Sequence, residues 1–444
     1  MKITDALQYM SECADSQKPE QYDILAGESQ DNSVQVFKGK VKETEIASSQ
    51  GIGIRIFKDG KPGYSFTRRL TKEAIKQCVD DAADLSAYSS PVEFKLPSPA
   101  DLKDFDLELW NDDLQNLTTE DFLKLSFDLE KKAENANPEV ENVLSSAAGK
   151  SSSSFYLANS KGIQYNLRRN SVAAGVSLVA ARGEIKKTGG KYKSTRKFSD
   201  IDTQKLVDEA TAKAIDLLDA KPVKAGTYPV LFDHYMAPAL LGSLMPALYA
   251  EVVQKGQSKF AGKLNQQIAS DCLTITNDPF VAGMPGSGLI DSEGVPTSKF
   301  NVIENGTLKT FLYNLYSAQK DGVTPTGNGR RSYTGKAGTG FQNLFVQKGQ
   351  RSKDEILAGL DQCLVITKFE GSGIRSAISG EISVGCQGFL YSKGELVQPV
   401  DRITVSGNYF DLIKNIVEFS NEYSDSFSST KIPDMLVESM NVSC

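Results

Sequence analysis

Alternating polar and apolar residues, interrupted by glycine-containing dipeptides, constrain the fold of this chain most strongly. Residues 33–37, 42–47 and 52–57 alternate with a period of two, and Asp59-Gly60 follows them. Successive side chains of a strand point to opposite faces of a sheet, and Asp-Gly tolerates the positive φ of a tight hairpin. The pattern predicts an antiparallel sheet at the start of the chain.

Helical spacing appears after these strands. The predicted helices cover residues 71–87, 118–136 and 202–219. Thr71 is suited to capping the first of them, and one face of the second carries Phe122, Leu125, Leu129 and Ala133. Residues 153–158 and 163–181 alternate as further strands. We expect residues 1–220 to form an N-terminal α/β-type domain whose helices cover one side of the sheet.

A second domain is predicted for residues 221–444. The segment 219–226 contains a proline that ends a helix and a glycine that precedes a strand. Beyond it, strands are predicted at 228–232, 300–313 and 377–391, with turns at Asn305-Gly306 and Lys393-Gly394, and helices at 352–363 and 409–421. The glycine-rich strand pattern favours a barrel-like sheet. The fold class expected for the whole chain is therefore α+β.

Length and composition exclude several classes of function. A chain of 444 residues is too long for one ordinary core, and its net charge of −6 is spread evenly. General nucleic-acid binding needs a basic face, which this sequence lacks. Neither an export signal nor a membrane-spanning segment is evident, so we expect a cytoplasmic protein. The six cysteines lie far apart, and this spacing suggests neither a zinc knuckle nor a disulfide framework.

Catalytic motifs are scarce in this sequence. The chain has one histidine, His234, whereas a His-ligated catalytic zinc usually requires two or three. A Ser-His-Asp hydrolase would need that same histidine, and the G-x-S-x-G nucleophile elbow is absent. Glycine-rich stretches at 283–288, 327–329 and 371–373 match no phosphate-binding fingerprint and indicate tight turns. The simplest interpretation of His234 is a loop residue after a strand.

Two polar segments stand out from ordinary loops. Asp291 and Glu293 precede the Asn305-Gly306 hairpin. They are either solvated turn residues, or carboxylates that bind a cation or act as an acid and a base. Arg330 and Arg331 follow the flexible run Gly327-Asn328-Gly329. Adjacent guanidinium groups can bind a peptide carboxylate or a partner's acidic residues, and an exposed turn is the alternative. The sequence leaves both choices open.

Several of these segments, taken in order, resemble the TldD/PmbA family, formerly called modulators of DNA gyrase. The resemblance is carried by residues 291–297, 302–309, 314–318 and 326–329, and it extends to residues 37–41 and 51–60 near the N-terminus. Each motif is modest alone, but their order is specific. It implies that nearly the whole chain shares the fold of that family.

In that family the TldD-type subunit is a zinc peptidase with HExxxH on a helix and a further metal ligand near the C-terminus. The PmbA or TldE partner shares the fold and lacks the motif. Here the corresponding helix is residues 237–248, in which Gly242, Ser243 and Ala247 replace His, Glu and His, and Pro246 bends the helix. Residues 424–430 offer no cysteine or histidine, and Cys444 lies too far along. The resemblance therefore implies a PmbA/TldE-type subunit without a metal or cofactor.

Three functional hypotheses follow. The first is a non-catalytic subunit that pairs with a TldD-like zinc-bearing homologue, or with itself, and processes or degrades peptides in the cytosol. The resemblance implies dimers whose sheets face a shared chamber, where a peptide adds as a strand, with Asn328, Arg330 and Arg331 as contact residues. The second is a homodimeric binding or regulatory protein, a modulator of DNA gyrase without peptidase activity. The third is an enzyme with a metal held by Asp291 and Glu293.

Overall fold

The computed structural model describes residues 1–93 and 95–444, which form an α+β fold. Its helices are α1 (Ile3–Ser16), α2 (Lys72–Ser86), α3 (Thr119–Glu134), α4 (Thr203–Ile215), α5 (Met236–Gly242), α6 (Ala250–Gln254), α7 (Leu315–Asp321), α8 (Lys353–Ala358) and α9 (Tyr409–Leu412). The strands of the first half are β1 (Gln21–Phe37), β2 (Lys40–Lys58), β3 (Lys61–Thr67), β4 (Val140–Asn159), β5 (Gln164–Arg182) and β6 (Ile185–Thr195).

The second half contains shorter strands. They are β7 (Gly226–Phe232), β8 (Ile275–Asn277), β9 (Phe300–Glu304), β10 (Thr307–Leu308), β11 (Gly329–Arg330), β12 (Gly338–Thr339), β13 (Leu344–Val346), β14 (Cys363–Arg375), β15 (Glu381–Ser392), β16 (Glu395–Asn408), β17 (Ile416–Phe419), β18 (Thr430–Lys431) and β19 (Met435–Ser443). None of the described helices is long and apolar enough to cross a bilayer.

The first half is built on one antiparallel sheet with the order β3-β2-β1-β4-β5-β6. This confirms the predicted opening sheet, although two predicted strands, residues 42–47 and 52–57, are parts of the single strand β2. Asp59 and Gly60 adopt φ values of 51° and 69° in the turn to β3. Positive φ at both positions is what the Asp-Gly pair tolerates.

Helices cover one face of this sheet, as the sequence predicted. α1 and α2 pack on the β1–β3 side, while α3 and α4 pack on the β4–β6 side. The predicted N-cap is present, because Thr71 Oγ1 accepts from Ala74 N at 3.3 Å. Phe122, Leu129 and Ala133 are fully buried against the sheet. Burial of these side chains holds the helix layer in place.

The opposite face of the sheet is only partly covered. At the end of the sheet that includes Leu25, Leu157 and Ile163, side chains pack with Tyr333 from the second half. Further along β4 and β5, alternate residues on this face are partly exposed. The sheet therefore has one helix-covered face and one face that is open over much of its length.

The second half contains the predicted barrel. β16, β15, β14, β7 and β19 pair in that order, and β19 pairs again with β16, which closes the ring. Closure gives each of these five strands a strand neighbour on both sides, and β17 is added to the ring by pairing with β19. A second sheet, β10-β9-β8-β13-β18, packs beside the barrel and shares its apolar core.

Some local predictions were wrong. The predicted helix 409–421 ends at Leu412, and Ile416–Phe419 is strand β17, which pairs with β19. The predicted helix 352–363 is shorter, since Cys363 already begins β14. Helix α1 was not predicted, and residues 377–380 precede β15 rather than belong to it. Long-range pairing overrode local periodicity in the two shortened helices.

Candidate functional site

The segment predicted to correspond to the HExxxH helix is interrupted. α5 ends at Gly242, and a short 3-10 helix, Met245–Leu248, follows it. Pro246 lies inside this second piece and supplies no backbone N–H. Ala247 is fully buried in the apolar core, and its carbonyl accepts from Ser258 Oγ at 2.6 Å. Gly242 and Ala247 thus belong to two short helical pieces rather than to one continuous helix.

These positions do not fit a zinc ion. Gly242 has no side chain, Ala247 has a methyl group, and Ser243 Oγ donates to Ala239 O at 2.9 Å. Zinc sites in proteins use thiolate, imidazole or carboxylate donors. Among residues 1–93 and 95–444, no group of three or more His, Cys, Asp or Glu side chains is placed to hold a metal ion. No hydrolytic step through zinc can be derived from this chain.

His234 lies just before α5 and faces Asp434. Its Nδ1 is 3.4 Å from Asp434 Oδ1, and its backbone N–H donates to the same oxygen at 3.0 Å. Burial lowers the pKa of His234, but the Asp434 and Asp233 carboxylates together outweigh this effect, so the net shift is upward. Asp434 also accepts from Ser420 Oγ at 2.7 Å. This pair fastens the start of α5 to the segment before β19.

A second polar link joins the start of α5 to the N-terminal sheet. Lys191 Nζ on β6 is 2.8 Å from Tyr235 Oη and 2.6 Å from Glu209 Oε2 on α4. Tyr235 Oη donates to Asp425 Oδ1 at 3.0 Å. Although burial raises the pKa of Asp425, Lys193 and Lys191 hold it well below its usual range. Residues 424–430, the predicted region of the distal metal ligand, thus contribute an ion pair.

The predicted contact residues differ in their surroundings. Asn328 is fully buried, and its Nδ2 donates to Asn277 Oδ1 at 3.1 Å and to Gly340 O at 2.9 Å. Arg331 is buried and donates to Asp23 Oδ1 at 2.6 Å. Arg330 is partly exposed and donates to the carbonyl of Phe341. We carry the contact prediction forward for Arg330.

Arg331 belongs to an ion cluster that joins the two halves of the molecule. We define the ion cluster as Asp23, Arg55, Glu293 and Arg331. Arg55 donates to Asp23 Oδ1 at 3.2 Å, to Asp23 Oδ2 at 2.5 Å and to Glu293 Oε1 at 3.0 Å. All four side chains are at most 2% exposed. Two guanidinium groups and two carboxylates therefore neutralise one another in the interior.

Asp291 lies beside the ion cluster and is held by backbone groups. Oδ1 accepts from Glu293 N at 2.8 Å and Val295 N at 3.0 Å, and Oδ2 accepts from Gly329 N at 2.7 Å. Burial and the Glu293 carboxylate raise the pKa of Asp291 to about 7, against these three donors. Glu293 Oε2 accepts from Leu315 N at 2.8 Å. Backbone and arginine donors thus surround the two carboxylates that the sequence singled out.

The open face of the N-terminal sheet carries a depression lined by small side chains. We call it the sheet trough: a cavity of about 900 Å³ whose floor is made of small side chains. The floor residues are Ser33, Ser145, Ala147, Gly149, Ser151, Ser171, Ala173, Gly175 and Ser177. Asp31, Glu43 and Glu45 line one side, and exposed Tyr192 lies on the other. A floor of this kind leaves room for another chain to lie on the sheet.

Sequence reasoning missed this trough and the arginine at its end, Arg169. A signal was present, because residues 145, 147, 149, 151 and 153 are all Ser, Ala or Gly and alternate along one strand. Small residues at alternate positions produce a flat face without bulky side chains. The strand boundaries needed to assign them to one face came from the structure.

Comparisons with known proteins cover nearly the whole chain. Residues 22–86, 112–218 and 225–444 match domain 1, the central domain and the C-terminal domain of the PmbA/TldA metallopeptidases. Metalloprotease PmbA of Escherichia coli O157:H7 is 28% identical over 88% of this chain and 85% of its own length. The predicted boundary at residue 220 lies between the last two matches.

Two solved structures share the fold. The crystal structure of a candidate modulator of a DNA gyrase from Thermotoga maritima is 27% identical, with a TM-score of 0.89 and full coverage of both chains. The crystal structure of TldE from Thermococcus kodakarensis is 23% identical, with a TM-score of 0.88 over 99% of this chain and 100% of that one.

Proposed function

Because this chain belongs to the PmbA/TldD metallopeptidase family, we propose that it is a non-catalytic subunit of the PmbA/TldE type. It pairs with a zinc-bearing homologue in the cytoplasm, and the pair processes or degrades peptides. The observation that carries the proposal is the side-chain set at Gly242, Ser243 and Ala247, which offers neither a zinc ligand nor a general base.

In this proposal the chain contributes a binding surface to a chamber shared with its partner. The sheet trough lies on the open face of the N-terminal sheet, and its small floor residues allow close approach of an extended peptide. Such a peptide lies on or beside the strands and leaves the bond to be cleaved within reach of the zinc-bearing subunit.

The edge of β2 offers a second mode of contact. β3 pairs with β2 only from Ile52 to Lys58, so in the part of the chain that the structure describes residues 40–51 have no strand on their outer side. Ile46 in this segment is 76% exposed. An unpaired edge presents backbone donors and acceptors to an added strand. We assign this edge to the partner or to an extended substrate.

Three parallel peptidase assays test the proposal. The first contains this chain alone, the second contains its HExxxH-bearing homologue alone, and the third contains both. We expect no activity in the first, and more activity in the third than in the second. Zinc in the mixed complex should be stoichiometric with the homologue. Activity in the first assay would overturn the assignment.

Controls separate binding from catalysis. Replacing the glutamate of the homologue's HExxxH motif by glutamine should abolish activity in the mixture, whereas Ser243→Ala in this chain should leave it unchanged. Co-purification provides an independent test, since the zinc-bearing homologue should be recovered with this chain. Recovery of this chain alone as a homodimer, without added activity on mixing, would favour the binding or regulatory alternative, in line with the gyrase-modulator name of the Thermotoga maritima protein.

A further inference from the structure

Arg169 lies where the second half of the molecule stops covering the sheet and the trough begins. On β5 it pairs with Ser153, and its side chain lines a cavity of about 240 Å³ together with Ser29, Ser153, Phe155 and Tyr333. Glu28 also lines this cavity, and its carboxylate accepts from Tyr156 Oη at 3.2 Å. Ser171, two residues further along β5, already belongs to the sheet trough. The cavity and the trough are therefore neighbours on one face of the sheet.

The guanidinium of Arg169 is incompletely satisfied. Nη2 donates to Ser287 O at 2.9 Å, while the buried Nε has no hydrogen-bond partner. Within residues 1–93 and 95–444, no carboxylate forms an ion pair with Arg169. A buried donor without a partner costs about 1–3 kcal/mol, more if it is charged. A buried donor of this kind therefore destabilises the fold unless a ligand accepts its hydrogen bond.

Two more guanidinium groups increase that cost. Arg196 donates to Gly283 O, Leu109 O and Asn170 O, and Arg330 donates to Phe341 O. Burial and the charge of Arg330 lower the pKa of Arg169, and burial and the charge of Arg169 lower the pKa of Arg196 to about 10. We call Arg169, Arg196 and Arg330 the arginine row. Its positive charge has carbonyl partners but, among the described residues, no carboxylate within ion-pair distance.

One side of the trough has the opposite charge. Asp31, Glu45 and Glu43 line it level with Ser171, Ala173 and Gly175 of β5, and none of the three acidic residues forms an ion pair in the described structure. Ser177 lies eight residues beyond Arg169 on β5, which corresponds to about 26 Å at 3.3 Å per residue. A ligand that runs along the trough from Arg169 therefore meets positive charge at its start and negative charge along one side of the remainder. An extended peptide with its C-terminus at Arg169 and a free amino group further along the trough matches this distribution.

We propose that Arg169, reinforced by the charge of Arg330, binds the C-terminal carboxylate of an extended peptide that lies in the sheet trough. The amino end of the peptide then points away from Arg169, along the side of the trough that carries Asp31, Glu45 and Glu43. This proposal rests on the proposed peptide-handling function and adds a direction to it. Guanidinium–carboxylate pairing is the strongest polar contact available to such a peptide.

Peptide binding to this chain tests the proposal without any peptidase assay. The probe is a fluorescent peptide of alanine and serine with an amino-terminal lysine, about eight residues long to match the trough. Amidation of its C-terminus should weaken binding about ten- to hundredfold, the range expected for one charged hydrogen bond. The Arg169→Met variant should bind the free-acid and amidated peptides equally.

Arg168→Met is the matched control. Arg168 is the next residue on β5, but its guanidinium stacks 4.4 Å from the Trp110 ring on the other face of the sheet. Loss of this charge should leave the preference for the free carboxylate unchanged. The double variant Glu43→Gln/Glu45→Gln should weaken binding of the peptide with a free amino group more than binding of its acetylated form.

Two outcomes would overturn the proposal. One is an equal effect of amidation on the wild-type chain and on Arg169→Met, or no binding of the free-acid peptide to either the chain or its complex. The other is equal binding of an amidated peptide that carries one internal glutamate, which would assign the site to acidic side chains instead. Neither result depends on zinc or on added peptidase activity, so failure here is distinguishable from failure of the proposed function.

Discussion

Two sets of arginines lie close together in this molecule and differ in their partners. In the ion cluster, Arg55 and Arg331 face Asp23 and Glu293 at hydrogen-bond distances. In the arginine row, the hydrogen bonds that Arg169, Arg196 and Arg330 donate within the described structure all go to backbone carbonyls. Burial opposes ionisation in both sets, but carboxylates raise the pKa of Arg55 whereas neighbouring arginines leave that of Arg169 lowered. The balanced charges of the ion cluster join the two halves of the molecule. The positive charge of the arginine row is not balanced in this way and remains available to an anion.

The difference separates two residues that are adjacent in sequence. Arg330 ends β11 and reaches the side of Gly340, whereas Arg331 turns toward the N-terminal sheet and Asp23. Gly53 on β2 allows the loop that follows Arg331 to pack closely against the N-terminal sheet, because a Cβ at Gly53 would lie 1.9 Å from the Tyr333 carbonyl oxygen. A role in the framework and a role in binding can therefore belong to neighbours in one loop.

The largest effect is expected for Arg55→Met. It leaves Asp23 and Glu293 buried without their shared cation, so the free energy of unfolding should fall by about 3–5 kcal/mol. Denaturant titration measures this loss, and the exposed Arg68→Met serves as a control with an effect within about 0.5 kcal/mol. A loss below about 1 kcal/mol would remove the ion cluster from the stabilising framework.

Asp291 should give the stability of the protein a dependence on pH. Its pKa of about 7 exceeds the value of 3.8 expected in the unfolded chain, so protons bind preferentially to the folded state. This contribution is present at low pH and is lost as the pH rises from about 4 to about 7, by roughly 2–4 kcal/mol. Unfolding free energies at about pH 4.5 and pH 7.5 should show that Asp291→Asn lacks this fall.

His234 also has a raised pKa and loses its stabilising effect as the pH rises above 6.5. It is present in both proteins, so its effect cancels when the wild-type and Asp291→Asn slopes are subtracted. Asp23 has a lowered pKa, and its contribution is lost only as the pH falls below about 4. An unchanged slope in Asp291→Asn would show that this carboxyl does not titrate in the folded protein.

Substitutions of the adjacent residues Arg330 and Arg331 should have intermediate effects on the free energy of unfolding. Arg331→Met breaks a buried ion pair with Asp23 and should cost about 3 kcal/mol. Arg330→Met removes a charge that has no carboxylate partner within ion-pair distance in the described structure, and should cost less than about 1 kcal/mol. Thermal or denaturant unfolding of the two variants measures this contrast. Equal losses would mean that the two sets of arginines do not differ as their contacts indicate.

Arg169→Met should have the smallest effect on stability. It relieves repulsion from Arg330 and removes a buried donor without a partner, so the free energy of unfolding should change by less than about 1 kcal/mol, with either sign. The same unfolding measurement applies. A loss as large as that of Arg55→Met would assign Arg169 to the framework and remove the basis for carboxylate binding.

Much of the fold was predictable because it depends on local patterns. Period-two alternation predicted the opening sheet, and helical spacing with Thr71 as N-cap predicted the layer that covers it. The helix predicted at 409–421 was wrong because β17 pairs with β19, and pairing between distant segments leaves no local signal. The absence of zinc ligands at Gly242, Ser243 and Ala247 follows from residue identity alone.

Residue types and their spacing along the chain were enough to establish the sheets, the helix layer and the lack of a histidine pair. The roles of the polar residues became visible only in three dimensions. There, Asp291 and Glu293 lie among backbone and arginine donors, Arg331 pairs with Asp23, which is 308 positions away, and Arg169 stands at the end of an open sheet face. The effect of a buried charge depends on its neighbours in space, and a linear pattern does not specify them.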